Sequence, residues 1–268
     1  ALISQVSTLR SRVPFLNIFD GFRTSHEISK IDSIPDEVIK KMMPEADILA
    51  HKQRALDPDN PVIKGTTQNP DVFFQAREAA NKYYTQVPGM VKEVMNELYK
   101  HTGRKYELFD YIGDPNAEKV IIIMGSGEGS VRETVNAMVE KGEKVGALFI
   151  RLYRPFYAKD FIEKLPKTVK TIAVLDRTKE PGSIGEPVYL DVITAFVESG
   201  IAMPKIIGGR YGLSSKEFTP PMVKGIYDEM GKANPKNHFT VGIKDDVTFT
   251  SLEPDKNFTL KRTTINCM

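Results

Sequence analysis

The sequence predicts an α/β protein with an open, mostly parallel five-stranded sheet carrying helices on both faces, preceded by a partial α/β region. Two observations carry the sheet. Between residues 119 and 243, short apolar runs alternate with segments of helical period, the pattern of repeated βα units. Three of the four intervening helical segments stop at glycines, Gly142, Gly200 and Gly231, which end helices because glycine accepts a left-handed backbone. A third observation marks the region before about residue 105. It carries helix and strand signals but no repeating βα order.

The elements follow in order. Ala1 to Arg10 reads as the end of a helix. Val13-Pro-Phe-Leu-Asn-Ile-Phe-Asp20 reads as a buried strand, closed by the turn residues Asp20 and Gly21. The polar loop Phe22-Arg-Thr-Ser-His-Glu27 would lie at that strand's C-terminal end. Pro35, between Ser33 and Asp36, starts a short helix over Glu37 to Met43. Residues 44–70 hold prolines and no clear period, so a long loop is expected, of the kind that serves a function or wraps a partner. Asn69-Pro70 opens a long helix that Pro88-Gly89 should kink or break and Gly103 should end.

The second region is cleaner. Strands are expected over 119–125, 145–153, 171–176, 205–208 and 238–243. Helices are expected over 130–141, 158–165, 187–198 and 220–230. The last strand fits either a parallel place or an antiparallel edge. The domains are thus read as 1–105 and 106–252, with 253–268 as a linker or the start of a further domain.

Bulk properties narrow the function classes. With 268 residues, 41% apolar and 27% charged, the chain resembles an ordinary globular protein able to bury a core without staples. Lysine and arginine total 37 against 35 acidic residues, and no basic block stands out, so nucleic acid is not the expected partner. No run of roughly 18 apolar residues suggests a membrane span. The single cysteine, Cys267, cannot build a disulfide framework, a zinc site or a cluster site within the chain, which fits a cytoplasmic protein. The start at Ala1 lacks an initiator methionine and signal-peptide order, so processing or cutting from a longer chain is expected.

Three groups of residues are candidates for chemistry. Gly125-Ser-Gly-Glu-Gly-Ser130 follows the first sheet strand and opens a helix, where free N–H groups and the helix dipole favour anions. Its spacing departs from G-x-G-x-x-G, Glu128 adds a negative charge, and Arg151 stands where an acidic residue would close the second strand. The turn through Gly125, Ser126 and Gly127 is therefore open to two readings, a phosphate site or a tight packed turn. Arg151, Arg154, Arg177, Lys179 and Arg210 fall at or beyond expected strand ends. They form either an anion-holding cluster or a domain interface. In the loop Arg23, Thr24, Ser25, His26 and Glu27, the imidazole is a potential acid or base that Glu27 would orient. The other histidines show no metal spacing, and no metal site is expected.

Several long stretches, in order, resemble the pyruvate:ferredoxin (flavodoxin) oxidoreductase family. They are residues 11–27, Arg151-Leu-Tyr-Arg-Pro-Phe156, Leu175-Asp-Arg-Thr-Lys-Glu-Pro-Gly182, residues 208–218 and Asn237-His-Phe-Thr-Val-Gly-Ile243. The resemblance runs from about residue 1 to 252. It implies that residues to about 105 are the C-terminal part of a thiamine-pyrimidine-type domain. It likewise implies that 106–252 are similar to the C-terminal domain of transketolase, a chiefly architectural domain. The parent enzyme would use thiamine diphosphate, Mg²⁺ and 4Fe–4S clusters. It would decarboxylate a 2-oxoacid, with pyruvate favoured because the named stretches look most like that branch, coenzyme A taking the acyl group and ferredoxin or flavodoxin the electrons. A homodimer is implied as well. The family's substrate-binding threonine and arginine, its activating glutamate, its diphosphate domain and its cluster cysteines belong to parts this sequence does not contain. No catalytic residue carries over, and the Arg23–Glu27 loop matches a motif near the site. The expected role is scaffold and interface, against a coenzyme A- or phosphate-binding module or a purely structural assembly domain.

Overall fold

A computed structural model describes residues 1–28, 30–63, 65 and 67–260; the side chain of Arg23 lies outside the description. In chain order the elements are α1 (Leu2–Ser11), α2 (Arg23–His26), α3 (Asp36–Met42), α4 (Glu45–Lys52), α5 (Pro70–Ala79), α6 (Asn81–Thr102), β1 (Phe109–Gly113), β2 (Lys119–Ile123), α7 (Glu128–Glu140), β3 (Val145–Ile150), α8 (Ala158–Lys164), β4 (Thr171–Asp176), α9 (Pro187–Ser199), β5 (Lys205–Arg210), α10 (Pro220–Met230), β6 (Phe239–Val241) and β7 (Ser251–Leu252). They form two compact units. One holds Ala1–Ile18 with Ile28–Leu108, the other Phe19–Glu27 with the chain from Phe109 onward. Residues 19–27 thus group with the sheet rather than with their sequence neighbours. No described helix is long and apolar enough to cross a membrane.

The first unit is helical. α1 lies along α6, and Val6, Met42, Val94 and Leu98 form the core between α1, α3 and α6. Arg10 fastens the layer by donating to Glu97 at 2.6 Å and to the Met42 carbonyl at 3.1 Å. Three sequence expectations fail here. The expected strand over 13–20 is an irregular stretch without a ladder partner among the described residues. Val13 is buried, yet Leu16 is 89% exposed and Ile18 83%. Among its described residues this unit contains no sheet, and a strand needs a neighbour to take its N–H and C=O groups.

The expected long loop over 44–70 contains α4. Its signals are charge rather than periodicity. Glu45 and Asp47 sit in the first turn, with His51 and Lys52 in the last, which suits the helix dipole. The helix buries none of its residues, so apolar period could not disclose it. The expected break at Pro88-Gly89 falls earlier, at Ala80 between α5 and α6. α6 continues through Pro88, although proline in a helix interior costs about 3 kcal/mol. Val87, Pro88, Val91, Val94, Met95 and Leu98 are all buried along it, and burial at about 1.5–3 kcal/mol per large side chain outweighs that cost.

The second unit is the expected α/β layer structure, with more strands. The sheet order is β1-β3-β2-β4-β5-β6-β7. All five expected strands are present, and β6 is parallel to β5. The antiparallel edge is instead β1, paired with β3 and not anticipated from the sequence. Its join is tight: at Gly113 (φ 118°) a Cβ would lie 2.5 Å from the Gly146 Cα, so neither strand tolerates bulk there. The other unanticipated strand, β7, has only two residues.

Strand alternation divides the core into two layers. Ile121, Ile123, Ala147, Phe149, Ala173 and Leu175 share a core with Val131, Val135 and Met138 of α7 and with Val223, Ile226 and Tyr227 of α10. On the α8 side, Phe161 meets Phe109, Phe156 and Phe196 with ring centroids 5.4–6.1 Å apart. Tyr227 is fully buried, and its hydroxyl donates to the Gly146 carbonyl at 2.8 Å. Part of the expected linker also belongs here, since Phe258 is buried in the same core. Cys267 lies outside the described residues.

These contacts set the expected stability costs. Phe161→Ala should lower the urea-unfolding free energy by about 3–5 kcal/mol. Tyr227→Phe should lower it by about 1–2 kcal/mol, because the Gly146 carbonyl loses its buried donor. Far-UV circular dichroism during urea titration would measure both; equal costs would contradict this assignment of the core.

Candidate functional site

In an open parallel sheet, ligands enter where the crossover direction reverses, beyond the C-terminal ends of the strands. Here β2 leads through α7 to β3 on one side, and the chain returns through α8 to β4 on the other. The reversal therefore lies between the ends of β2 and β4. The β2–α7 turn supplies Gly125, Ser126 and Gly127, and the end of β4 supplies Asp176 and Arg177.

This crevice holds a carboxylate from the chain itself. Asp20 Oδ2 accepts the Ser126 backbone N–H at 2.6 Å and lies 2.9 Å from Arg177 Nη1. Arg177 is held in turn: its Nη1 donates to Ser126 Oγ at 2.6 Å and its Nε to the Gly212 carbonyl at 2.9 Å. Gly125 has φ 87°, and a Cβ there would stand 2.9 Å from Asp20 Oδ2. Both the backbone and the carboxylate thus require glycine. Burial works to raise the Asp20 carboxyl pKa, but the Ser126 hydrogen bonds and the Arg177 charge prevail and hold it below the usual carboxylate range.

The remaining cations each face other carboxylates. Arg151 pairs with Asp110 and, at 3.1 Å, with Glu128. Arg154 stacks on the Tyr153 ring and reaches Asp191 at 2.8 Å. Lys179 and Arg210 both approach the buried Glu186, at 3.7 and 3.3 Å. Of the residues read as one anion cluster, the structure brings together Ser126 and Arg177, with Gly125 beside them. Arg151 and Lys179 serve separate ion pairs.

The loop from Phe22 forms the single turn α2. His26 Nδ1 lies 2.6 Å from the Phe22 carbonyl. A carbonyl only accepts, so Nδ1 carries the proton and Nε2 is left as the basic nitrogen of the neutral ring. Ser25 Oγ donates to the same carbonyl at 2.9 Å. Phe22 and Ser25, rather than Glu27, are the described partners of the imidazole. Phe22 has φ 55°, an unfavourable region for a bulky side chain. Thr24, Ser25, His26 and Glu27 are exposed.

Asp20 and Asp176 are the site residues that sequence reasoning missed. Asp20 reads as a turn residue and Asp176 as the end of a strand; only their partners give them meaning. Asp176 accepts the Val188 and Tyr189 N–H groups at 3.0 and 3.1 Å, capping α9. Burial pushes its carboxyl up to about 6, helped by the Glu186 and Asp191 charges and opposed by the two backbone bonds. Depressions of about 340 and 280 Å³ exist elsewhere, lined by other residues. No group of three or more His, Cys, Asp or Glu side chains that could hold a metal occurs among the described residues.

A family model described as pyruvate flavodoxin/ferredoxin oxidoreductase, thiamine diP-bdg, matches residues 1–96. One described as pyruvate:ferredoxin oxidoreductase core domain II matches residues 117–220. A putative pyruvate-flavodoxin oxidoreductase of Synechocystis sp. is 56% identical over 96% of this chain and 21% of its own length. The pyruvate-flavodoxin oxidoreductase of Trichormus variabilis is 57% identical over 97% of this chain and 22% of its own. A Nostoc sp. relative of the same name is 54% identical, with 64% of its length covered. A solved 2-oxoglutarate:ferredoxin oxidoreductase from Magnetococcus marinus is similar over 62% of this chain and 24% of its own, at 18% identity and a TM-score of 0.38. The chain therefore spans about a fifth of the length of the first two relatives.

Asp176 generates a pH signature. Its folded carboxyl keeps the proton to about pH 6, whereas an ordinary one releases it near 3.8. The folded state binds more protons in that window, so the contribution is present below pH 4 and lost as pH rises through 6, by roughly 3 kcal/mol. Asp176→Asn should remove this part of the pH slope of urea-unfolding free energy between pH 4 and 7. Wild-type and variant slopes that superimpose would refute it.

Proposed function

Over residues 1–96 and 117–220 this chain belongs to the pyruvate flavodoxin/ferredoxin oxidoreductase family, and from that premise we propose that it is scaffold and interface within a larger 2-oxoacid oxidoreductase. The larger enzyme oxidatively decarboxylates a 2-oxoacid, with pyruvate the favoured substrate. Coenzyme A takes the acyl group, CO₂ leaves, and two electrons pass singly to ferredoxin or flavodoxin. Thiamine diphosphate supplies the carbanion stabilisation when bound. Mg²⁺, 4Fe–4S clusters, a homodimeric assembly and a cytoplasmic location complete the reading.

One observation supports assigning this chain the scaffold role. The switch-point crevice, where a sheet of this type would take a phosphate, holds the Asp20 carboxylate against Ser126 and Arg177. With that carboxylate seated, a diphosphate or a coenzyme A phosphate would meet a like charge there. A single cysteine cannot hold a 4Fe–4S cluster. The cofactors in this reading are therefore held by parts of the enzyme beyond these residues. The Thr24–Glu27 turn would stand near the site, with His26 Nε2 as its proton acceptor.

The helical unit favours an interface. Leu16 and Ile18 are exposed in a stretch apolar enough for a buried strand. α5 buries none of its residues and exposes Phe73 and Phe74 at 52% and 69%. Such apolar exposure marks surfaces that other chain covers. In the whole enzyme, residues 13–18 would gain a sheet neighbour.

Two measurements test this. The 268-residue chain alone should give no pyruvate-dependent reduction of a viologen dye, whereas a polypeptide extended to the relatives' length should reduce it. Turnover by the isolated chain would overturn the scaffold role. Amide exchange at residues 15–18 should slow on the order of 100-fold in the extended protein. Unchanged exchange there would remove the missing-neighbour explanation.

A further inference from the structure

Residues 19–27 are attached to the sheet unit in an unusual way. Phe19 and Phe22 are 68% and 66% exposed, so apolar burial contributes little to their seating. The hydrogen bonds of Ser25 and His26 are local, all to Phe22 or to each other. Among the described side chains, the polar contacts that leave the segment are those of Asp20, to Ser126 and Arg177. The receiving side is built and braced. Arg177 is fixed from two directions by Ser126 Oγ and the Gly212 carbonyl. Gly212 itself has φ 66°, and a Cβ there would press on the Arg177 side chain at 3.2 Å. Within the segment, Phe22 sits at φ 55°, a conformation that persists only where surrounding contacts impose it.

We propose that Asp20 is a latch: its carboxylate, seated between the Ser126 N–H and Arg177, holds residues 19–27 on the sheet, and loss of that seat releases the segment while the sheet stays folded. The strand–helix turn accepts an anion from within the chain instead of a free ligand. Its glycine at 125 makes room for the carboxylate, and the Arg177 brace keeps the partner charge in place when the segment leaves. Seated, the latch fixes where Thr24, Ser25 and the Nε2 of His26 are displayed. Released, Phe22 relaxes out of its left-handed backbone and the turn α2 loses its frame. Asp20 and Arg177 are on this account positioning residues. The inference stands on this geometry and does not need the oxidoreductase reading.

Trypsin cutting after Arg23 reads the latch directly, because cleavage of a transiently opened segment follows the population of the open form. Wild-type chain, Asp20→Ala, Asp20→Asn, Arg177→Ala and Ser126→Ala would be digested in parallel and the fragment ending at Arg23 followed by mass spectrometry. Asp20→Ala and Arg177→Ala should be cut on the order of 10-fold faster than wild type. Asp20→Asn, which keeps an acceptor for Ser126 but loses the charge, should fall between. Ser126→Ala keeps the backbone donor but removes the Oγ that braces Arg177, and should likewise fall between. Amide exchange at Ile121 and Val174 in the sheet should remain as slow as in wild type. Wild-type cutting rates in both alanine variants would overturn the latch. Loss of protection at Ile121 and Val174 alongside faster cutting would overturn it too, since the segment would then not open independently of the sheet.

Discussion

A buried strand needs a partner for each backbone N–H and C=O, and the whole molecule is organised by where that demand is met. In the sheet unit it is met almost everywhere. β2 and β4 pair residue for residue from Lys119 with Thr171 to Ile123 with Leu175, and helices cover both faces. The sheet can then be apolar throughout its middle, because no polar backbone is left without a partner in a medium that would penalise it. In the helical unit the same demand is not met. Residues 13–18 have strand-like composition but no ladder partner among the described residues, and Leu16 and Ile18 face outward.

The C-terminal edge of the sheet shows a second use of one physical feature. A turn leading from a strand into a helix offers N–H donors and a favourable dipole to any negative charge. Here Asp20 takes the place of a ligand, and Arg177 completes its surroundings. Charge around this edge is balanced locally: Arg151 faces Asp110 and Glu128, Arg154 faces Asp191, and Lys179 and Arg210 share Glu186. An edge with its cations so occupied is suited to fixing loops rather than to gathering free anions. That agrees with the scaffold role proposed for this chain.

The sheet was legible because its signals are local. Val120 to Ile123, Leu148 to Ile150 and Ile172 to Leu175 are short apolar runs bounded by turn residues, and such runs have few other places to go. β1 was not legible: in Phe109-Asp-Tyr-Ile-Gly113 the aspartate and glycine dilute the apolar run, and its strand state rests on pairing with β3. α4 escaped because it buries nothing. Pro88 misled in the opposite sense, since the intrinsic cost of proline is visible in sequence while the burial that offsets it is not. At the site, the Gly125–Gly127 turn and Arg177 could be singled out by their places at strand ends. Asp20 could not, because its partner Ser126 is 106 positions away in the chain.

By itself the sequence determined the alternation of strand and helix after Lys119, the glycine stops, the lack of cysteines for a cluster and the family signature in stretches such as Leu175 to Gly182. Those properties are carried by neighbours along the chain, where side-chain period and backbone preference act over a few residues. Tertiary structure alone decided that β1 closes the edge, that residues 13–18 have no ladder partner among the described residues, and that the anion at the switch point is the protein's own Asp20. Each depends on which distant groups meet, and meeting is fixed by packing and charge pairing across space rather than by any local preference.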